Sequence, residues 1–313
     1  MNAGGSPSPS SRFHEGELIA QRNANESDMA ARNGANVSTH IVRGALPFVR
    51  QQKTVYIGSV DIDGRVWASI LIGEPGFLNP SDDATTLTID LSKVARQPHD
   101  PLWENLRLDT RMGFLLLDLQ TRKRLKVNGD AHLDGDRLVV DVTESVPICP
   151  RYIQRRTIAL SDPGSQAMPT GLRQGSDIGD AQRELIARAD TFFLASVHET
   201  HGADASHRGG PPGFVQLLPG NVLRIPDYNG NSMFNSFGNF LLNPQAGLVF
   251  PDYEHRRLLQ LNGTVAMFWD QPDPDDRTGG TGRFWEFTIE RWIETGLPEG
   301  LDTSFIDASP FLP

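Results

Sequence analysis

The chain contains its own second copy. Thr54-Val-Tyr-Ile-Gly-Ser-Val60 returns as Thr191-Phe-Phe-Leu-Ala-Ser-Val197. At the same offset of 137, Ala68-Ser69 meets Ala205-Ser206, and Gly73-Glu-Pro-Gly-Phe77 meets Gly210-Pro-Pro-Gly-Phe214. Nine of the 24 positions from 54 to 77 are identical, without a gap. At an offset of 134, Arg122-Lys-Arg-Leu-Lys-Val-Asn-Gly129 meets Arg256-Arg-Leu-Leu-Gln-Leu-Asn-Gly263. Two blocks in the same order argue for one fold used twice, not for chance similarity between β-rich stretches. The length of 313 residues suits that reading, since domains run to roughly 100–200 residues.

The repeat divides the chain. Residues 1–40 are expected to be a disordered or partly helical tail, because the first dozen are rich in Ser, Pro, Gly and Asn. Residues 41–160 form copy one and 181–313 copy two. The connection at 161–180 is rich in Ser, Gly, Pro and Asp and reads as an exposed linker. Each copy reads as mainly β. Short apolar runs at 55–60, 87–90, 112–118, 124–127 and 137–142 predict strands in copy one. Runs at 192–197, 222–225, 246–250, 258–261 and 284–289 are their counterparts. Asp61-Ile-Asp-Gly64 is a hairpin turn, and residues 198–202 occupy its place in copy two. Short helices are expected at 15–22, 40–51, 101–106, 180–189 (with Asp180 or Asp177 as N-cap) and 233–242. Strands at this spacing, without an alternating βαβ pattern, predict a β-barrel with short helices in each copy, Greek-key-like, rather than a Rossmann fold.

Composition removes several classes of function. Acidic residues outnumber basic ones 39 to 29, for a net charge of −10. A nucleic-acid surface needs clustered Lys and Arg, so none is expected. Cys149 is the one cysteine, which excludes an internal disulfide and a cysteine-built metal centre. No apolar run approaches the ~20 residues of a membrane helix, and no signal peptide is apparent at the start. A cytoplasmic protein without membrane partners is expected.

The chemistry sits where the copies differ. Copy one reads Trp67-Ala-Ser-Ile-Leu-Ile-Gly73; copy two reads Asp204-Ala-Ser-His-Arg-Gly-Gly210. His207 and Arg208 replace two apolar residues. Arg208 offers a rigid fork of donors that matches phosphate, Ser206 a hydroxyl, and Gly209 close backbone approach. Arg224-Ile-Pro-Asp-Tyr-Asn-Gly-Asn-Ser-Met233 then brings donors into a helix start, which favours an anion. Arg256 and Arg257 open a later strand. His198-Glu-Thr-His201 lacks the helical His-Glu-x-x-His arrangement, and a hairpin turn accounts for it, so no metal site is expected.

These residues carry a resemblance. Asn243-Pro-Gln-Ala-Gly-Leu-Val-Phe250, followed by Arg257-Leu-Leu-Gln-Leu-Asn-Gly263, resembles the strand pair of the pyridoxamine 5′-phosphate oxidase-like FMN-binding split barrels. Ser206-His-Arg-Gly-Gly-Pro-Pro-Gly-Phe214, Phe13-His-Glu-Gly-Glu17 and Cys149-Pro-Arg-Tyr-Ile-Gln154 are similar to a tandem-barrel branch of that family. The resemblance implies two tandem split barrels related by duplication and a flavin-dependent oxidoreductase. The cofactor would be FMN, with FAD as the other flavin. Ser206, His207, Arg208 and Gly209 fall on the phosphate-gripping strand, and Ile225 and Pro226 where the family contacts the flavin ring. Asn231 and Ser232 replace a customary Arg-Lys pair, a departure that Arg256 or Arg257 would offset. Copy one would form the opposite wall without binding phosphate, with Cys149, Arg151 and Tyr152 near the ring or substrate. The residues that recognise pyridoxal phosphate in true oxidases of this name have no match, so that activity is not implied. The implied partners are a small-molecule substrate or a nicotinamide electron donor, and a second copy of the chain, since such barrels commonly pair. A non-catalytic flavin- or haem-binding module is the alternative, with His207 or His14 as the axial ligand haem requires.

Overall fold

The computed structural model describes residues 12–160 and 171–313. The helices are α1 (Glu15–Asn23), α2 (Ser27–Gly34), α3 (Leu46–Arg50), α4 (Leu102–Asn105), α5 (Asp180–Arg188) and α6 (Asn235–Leu242). Copy one supplies β1 (Thr54–Val60), β2 (Val66–Gly73), β3 (Leu78–Pro80), β4 (Thr86–Asp90), β5 (Val94–Ala95), β6 (Arg111–Asp118), β7 (Lys123–Asp134) and β8 (Arg137–Ile148). β9 (Arg155–Leu160) and β10 (Arg173–Gly175) follow. Copy two supplies β11 (Thr191–His198), β12 (Gly202–Gly209), β13 (Gln216–Leu218), β14 (Val222–Pro226), β15 (Gln245–Asp252), β16 (Arg257–Phe268) and β17 (Phe284–Gly296); β18 (Leu301–Asp307) closes the chain.

The duplication is visible in the hydrogen bonding. The first sheet runs β3-β4-β8-β7-β6-β1-β2-β5, and the second, read from its far edge, runs β13-β14-β17-β16-β15-β11-β12. Apart from β5 and the small β10, each strand has its counterpart at the same place. A β-bulge interrupts β7–β8 at Asn128/Gly129 and β16–β17 at Asn262/Gly263, the same repeat position. Only glycine fits there: a Cβ on Gly129 would lie 2.2 Å from the Asp141 carbonyl oxygen, and one on Gly263 2.0 Å from that of Thr288. Below the sheets, the Asn105 amide donates to Ser59 Oγ at 2.9 Å and the Asn239 amide to Ser196 Oγ at 2.9 Å. Both pairs fix an inter-strand helix to the first strand of its copy.

Each copy has its own core, and a third core lies between them, built from residues such as Tyr56, Leu115, Phe193 and Val249. This explains why β1, β2, β11 and β15 are apolar on both faces instead of alternating. Tyr56 and its repeat-equivalent Phe193 stack on each other with ring centroids 3.4 Å apart, so the pseudo-twofold axis passes between them. Each such side chain contributes about 1.5–3 kcal/mol on burial, which holds the halves together as one body. The chain is two tandem split barrels, mainly β with short helices.

Some elements differ from expectation. Residues 15–34 form two helices, and Glu17 and Gln21 are buried. The helix expected at 40–51 is confined to α3, after a short 3₁₀ turn, because Pro47 suits only a helix start. α5 is capped by Gly179, whose N–H donates to the Gln182 side chain, while Asp177 instead accepts from Asn221. Within the expected linker, Arg173–Gly175 pairs with β17. Residues 161–170 of that linker, and residues 1–11 of the expected tail, lie outside the described residues.

Candidate functional site

A cavity opens between the copies at the end of β12. Copy two lines it with Ser206, His207, Arg208 and Gly209, with Pro226, Asp227, Tyr228, Gly230, Asn231 and Ser232, and with the first turn of α6. Copy one lines it with Arg124 and Lys126 of β7, then Cys149, Arg151 and Tyr152. Gly209 makes the junction: a Cβ there would sit 2.2 Å from the Tyr152 carbonyl oxygen. Thus ten expected residues, Ser206, His207, Arg208, Gly209, Pro226, Asn231, Ser232, Cys149, Arg151 and Tyr152, share one cavity.

Four residues singled out from the sequence, Ile225, Arg256, Arg257 and His14, lie outside this cavity. Ile225 is fully buried in the core of copy two, opposite Trp285 on β17, and does not reach the cavity. Arg256 and Arg257 lie at the β15–β16 turn, where local acceptors take their guanidiniums. Arg256 donates to the Pro298 and Leu301 carbonyls, and Arg257 pairs with Asp252 at 3.2 Å. The haem-ligand candidate His14 is also elsewhere, in a second cavity beside His198 and His201.

The missing cations come from copy one. Arg124 donates to the carbonyls of Cys149 (2.6 Å) and Arg151 (3.0 Å), and its Nη2 lies 3.8 Å from Cys149 Sγ. Lys126 is buried and pairs with Asp204 at 2.6 Å. The repeat-equivalents of Arg124 and Lys126 are Leu258 and Gln260. The comparison that singled out His207 and Arg208 in copy two therefore picks out this pair when read in the other direction.

Charge in the cavity is unbalanced. Lys126 is matched by Asp204, and Arg283 by Asp227 (2.8 Å) and Glu26 (2.7 Å). Among the described residues, neither Arg208 nor Arg124 has a carboxylate within ion-pair distance. Arg208 donates once, to the His207 carbonyl at 3.0 Å, and packs over Phe237; its buried Nε has no partner. Burial lowers the pKa of both guanidiniums, yet arginine stays charged. Unpaired charge in such a place costs several kcal/mol unless an anion joins it. The hydroxyls beside it are engaged with protein, Ser236 Oγ donating to Ser206 Oγ at 3.1 Å and Ser206 Oγ to Asp204 at 3.3 Å, and each would have to turn from that acceptor to serve the anion. The His207 imidazole is held neutral, its pKa driven well down by burial and then by Arg124 and Arg208. Its Nε2 is buried without a partner.

The fold and the cavity define a class, a tandem split barrel with a cation-lined pocket between its two halves. No protein-family model and no curated protein sequence matches the chain. Solved structures do. A Clostridium acetobutylicum protein related to general stress protein 26, of the pyridoxinephosphate oxidase family, is 15% identical, with TM-score 0.27 over 40% of this chain and 92% of its own. An FAD-binding protein from Mesorhizobium loti is 8% identical, with TM-score 0.28 over 40% and 98%. HutZ, the haem storage protein of Vibrio cholerae, is 16% identical, with TM-score 0.26 over 40% and 92%.

Proposed function

We propose that the chain binds a phosphorylated flavin, FMN, in this cavity and acts as an FMN-dependent oxidoreductase. The observation that carries the reading is the pair of guanidiniums, Arg208 and Arg124, that face one cavity without a carboxylate partner. A phosphate matches a guanidinium fork. Ser206, Ser232 and Ser236 add neutral donors, and the start of α6 adds its dipole. Tyr152, Pro226 and Tyr228 at the mouth supply apolar surface for a ring system. When bound, the flavin supplies hydride or electron transfer, and the protein supplies binding and orientation. The electron donor is a nicotinamide cofactor or an organic substrate. FAD is the alternative flavin, its adenylate lying outside the cavity.

The first test is the visible spectrum of the purified protein, with mass identification of whatever denaturation releases. Released FMN supports the reading, and Arg208→Ala is then expected to lose it, because charge-assisted bonds contribute about 1.5–3 kcal/mol, roughly a tenfold to hundredfold weaker affinity. A variant that keeps wild-type flavin content overturns the assignment. A second reading, a haem-binding module, has one observation in its favour: the neutral His207 imidazole with an unpartnered Nε2 lining the cavity. A Soret band in place of a flavin spectrum, abolished by His207→Ala, would select it.

A further inference from the structure

The cavity wall formed by residues 227–235 is conformationally demanding. Ser232 and Phe234 both hold left-handed backbone, at φ 63° and 58°. Side-chain-bearing residues persist in that region only when their surroundings hold them there. Phe234 is also the N-cap of α6 and makes no side-chain capping bond. Something outside the segment must therefore fix its shape.

The amino-terminal helices meet it at three points, and Glu26 ahead of α2 reaches it through Arg283. The Gln21 amide donates to the Met233 carbonyl at 3.1 Å. The Asn33 amide donates to the Asn231 carbonyl at 2.6 Å. Glu17 accepts from the Asn235 amide. Glu26 pairs with Arg283 at 2.7 Å, and Arg283 in turn holds Asp227 at 2.8 Å and lies over the Phe234 ring. The contacts thus reach both ends of the segment and the two residues next to its strained positions. The docking itself is close: a Cβ on Gly16 would lie 2.1 Å from the Gly238 carbonyl oxygen, and one on Gly238 2.5 Å from the Glu17 nitrogen. Two facing glycines let α1 lie directly on α6.

We propose that α1 and α2 form a strap that holds residues 227–235 in their ligand-binding shape, with Gln21 and Asn33 as positioning residues. They touch no ligand; they select the conformation that presents Asn231 and Ser232 to the cavity. The inference rests on the reading of the cavity as a flavin-phosphate site only for its effect on affinity. Its effect on the segment stands independently.

The test uses the full chain with Gln21→Ala/Asn33→Ala, and Gly16→Val as a second route to lifting α1. Amide hydrogen exchange is measured without ligand, and FMN affinity by fluorescence titration. Faster exchange concentrated in residues 229–236, with the core strands exchanging as in wild type and about tenfold weaker FMN binding, is the expected result. That affinity loss corresponds to a competent fraction reduced to about one tenth. Unchanged exchange in that segment overturns the strap. So does faster exchange with FMN affinity within about twofold of wild type. If the wild-type chain takes up no FMN, the flavin reading fails on its own account, and exchange alone decides the strap.

Discussion

Asp204→Asn is the sharpest perturbation the structure offers. Asp204 and Lys126 bring opposite charges together across the two copies at 2.6 Å, with side chains 6% and 4% exposed. The change keeps size and shape and removes the charge. Lys126 is left with the Asn235 side-chain oxygen, at 3.1 Å, as an acceptor. Breaking a buried pair from one side costs about 3–5 kcal/mol, because the other ion stays buried without compensation. An unfolding entropy of about 2.1 cal/mol/K per residue over the 313-residue chain converts this to a melting point lower by about 5–8 °C. Urea unfolding and thermal melting followed by circular dichroism would read both. Removing both charges, as in Lys126→Met/Asp204→Asn, should restore most of the loss. The repeat supplies an internal control. At the position equivalent to Lys126, Gln260 donates to the Ala68 carbonyl at 2.9 Å. Gln260→Met there removes that bond and those to Asp100 (3.3 Å) and Ser69 (3.5 Å) but strands no buried cation, so it should cost only about 1–3 kcal/mol. If Asp204→Asn melts within about 1 °C of wild type, or the double variant is no better than the single one, the reasoning about buried charge is wrong.

Arg124→Ala should lower flavin content about tenfold or more, while Arg256→Ala leaves it at the wild-type level, as absorbance per protein would show. Asn105→Ala and Asn239→Ala should each cost about 1–3 kcal/mol in urea unfolding, since each leaves a buried serine hydroxyl without its donor; equal costs in the two variants would match their equivalent positions. Burial, reinforced by His198 and His201, lowers the His14 pKa to about 4, and burial raises that of Glu17 to about 7. Between pH 4.5 and 6.5 the unfolded chain holds a proton on His14 where the folded chain holds one on Glu17, so the two effects on stability cancel. Glu17→Gln removes one side of that balance, and stability should then rise by about 1–2 kcal/mol as pH climbs from 4 to 6.5, allowing for the partial exposure of His14. A flat series of urea midpoints in that variant would refute the assignment.

The duplication was legible because its marks are local: the Asn-Gly pair at each bulge, the Ser-Val at the end of each first strand, and the apolar runs buried on both faces. The cavity was legible on one side only. His207 and Arg208 stand out because copy one has Ile70 and Leu71 there. Arg124 and Lys126 stand out equally against Leu258 and Gln260, but only when copy two serves as the reference. Arg256 and Arg257 misled for a physical reason. A cation at a strand start looks available in sequence, whereas carbonyls and a carboxylate that fold back onto the same turn take its hydrogen bonds. The docking of α1 left little trace. It depends on Gly16 meeting Gly238, 222 positions later, and no periodicity within α1 reports it.

Fusing the two barrels in one chain lets the walls of the cavity differ. In a symmetric pair of identical barrels every residue would occur twice, once at each of two equivalent sites. Here the equivalent of the Ser206 position is Ser69, which donates to Asp100 at 2.6 Å, and Gln260 donates to the other Asp100 oxygen at 3.3 Å. Ile70 and Leu71 fill the places of His207 and Arg208 and are buried in core. That half gathers around a buried acid whose pKa burial pushes up to about 6, an environment that repels a phosphate. The other half gathers guanidiniums from both copies and leaves them without counter-ions. Two opposite electrostatic solutions on one repeated scaffold are possible only because each copy mutates independently. The asymmetry therefore predicts a single anion per chain, bound where Arg208 of copy two meets Arg124 of copy one.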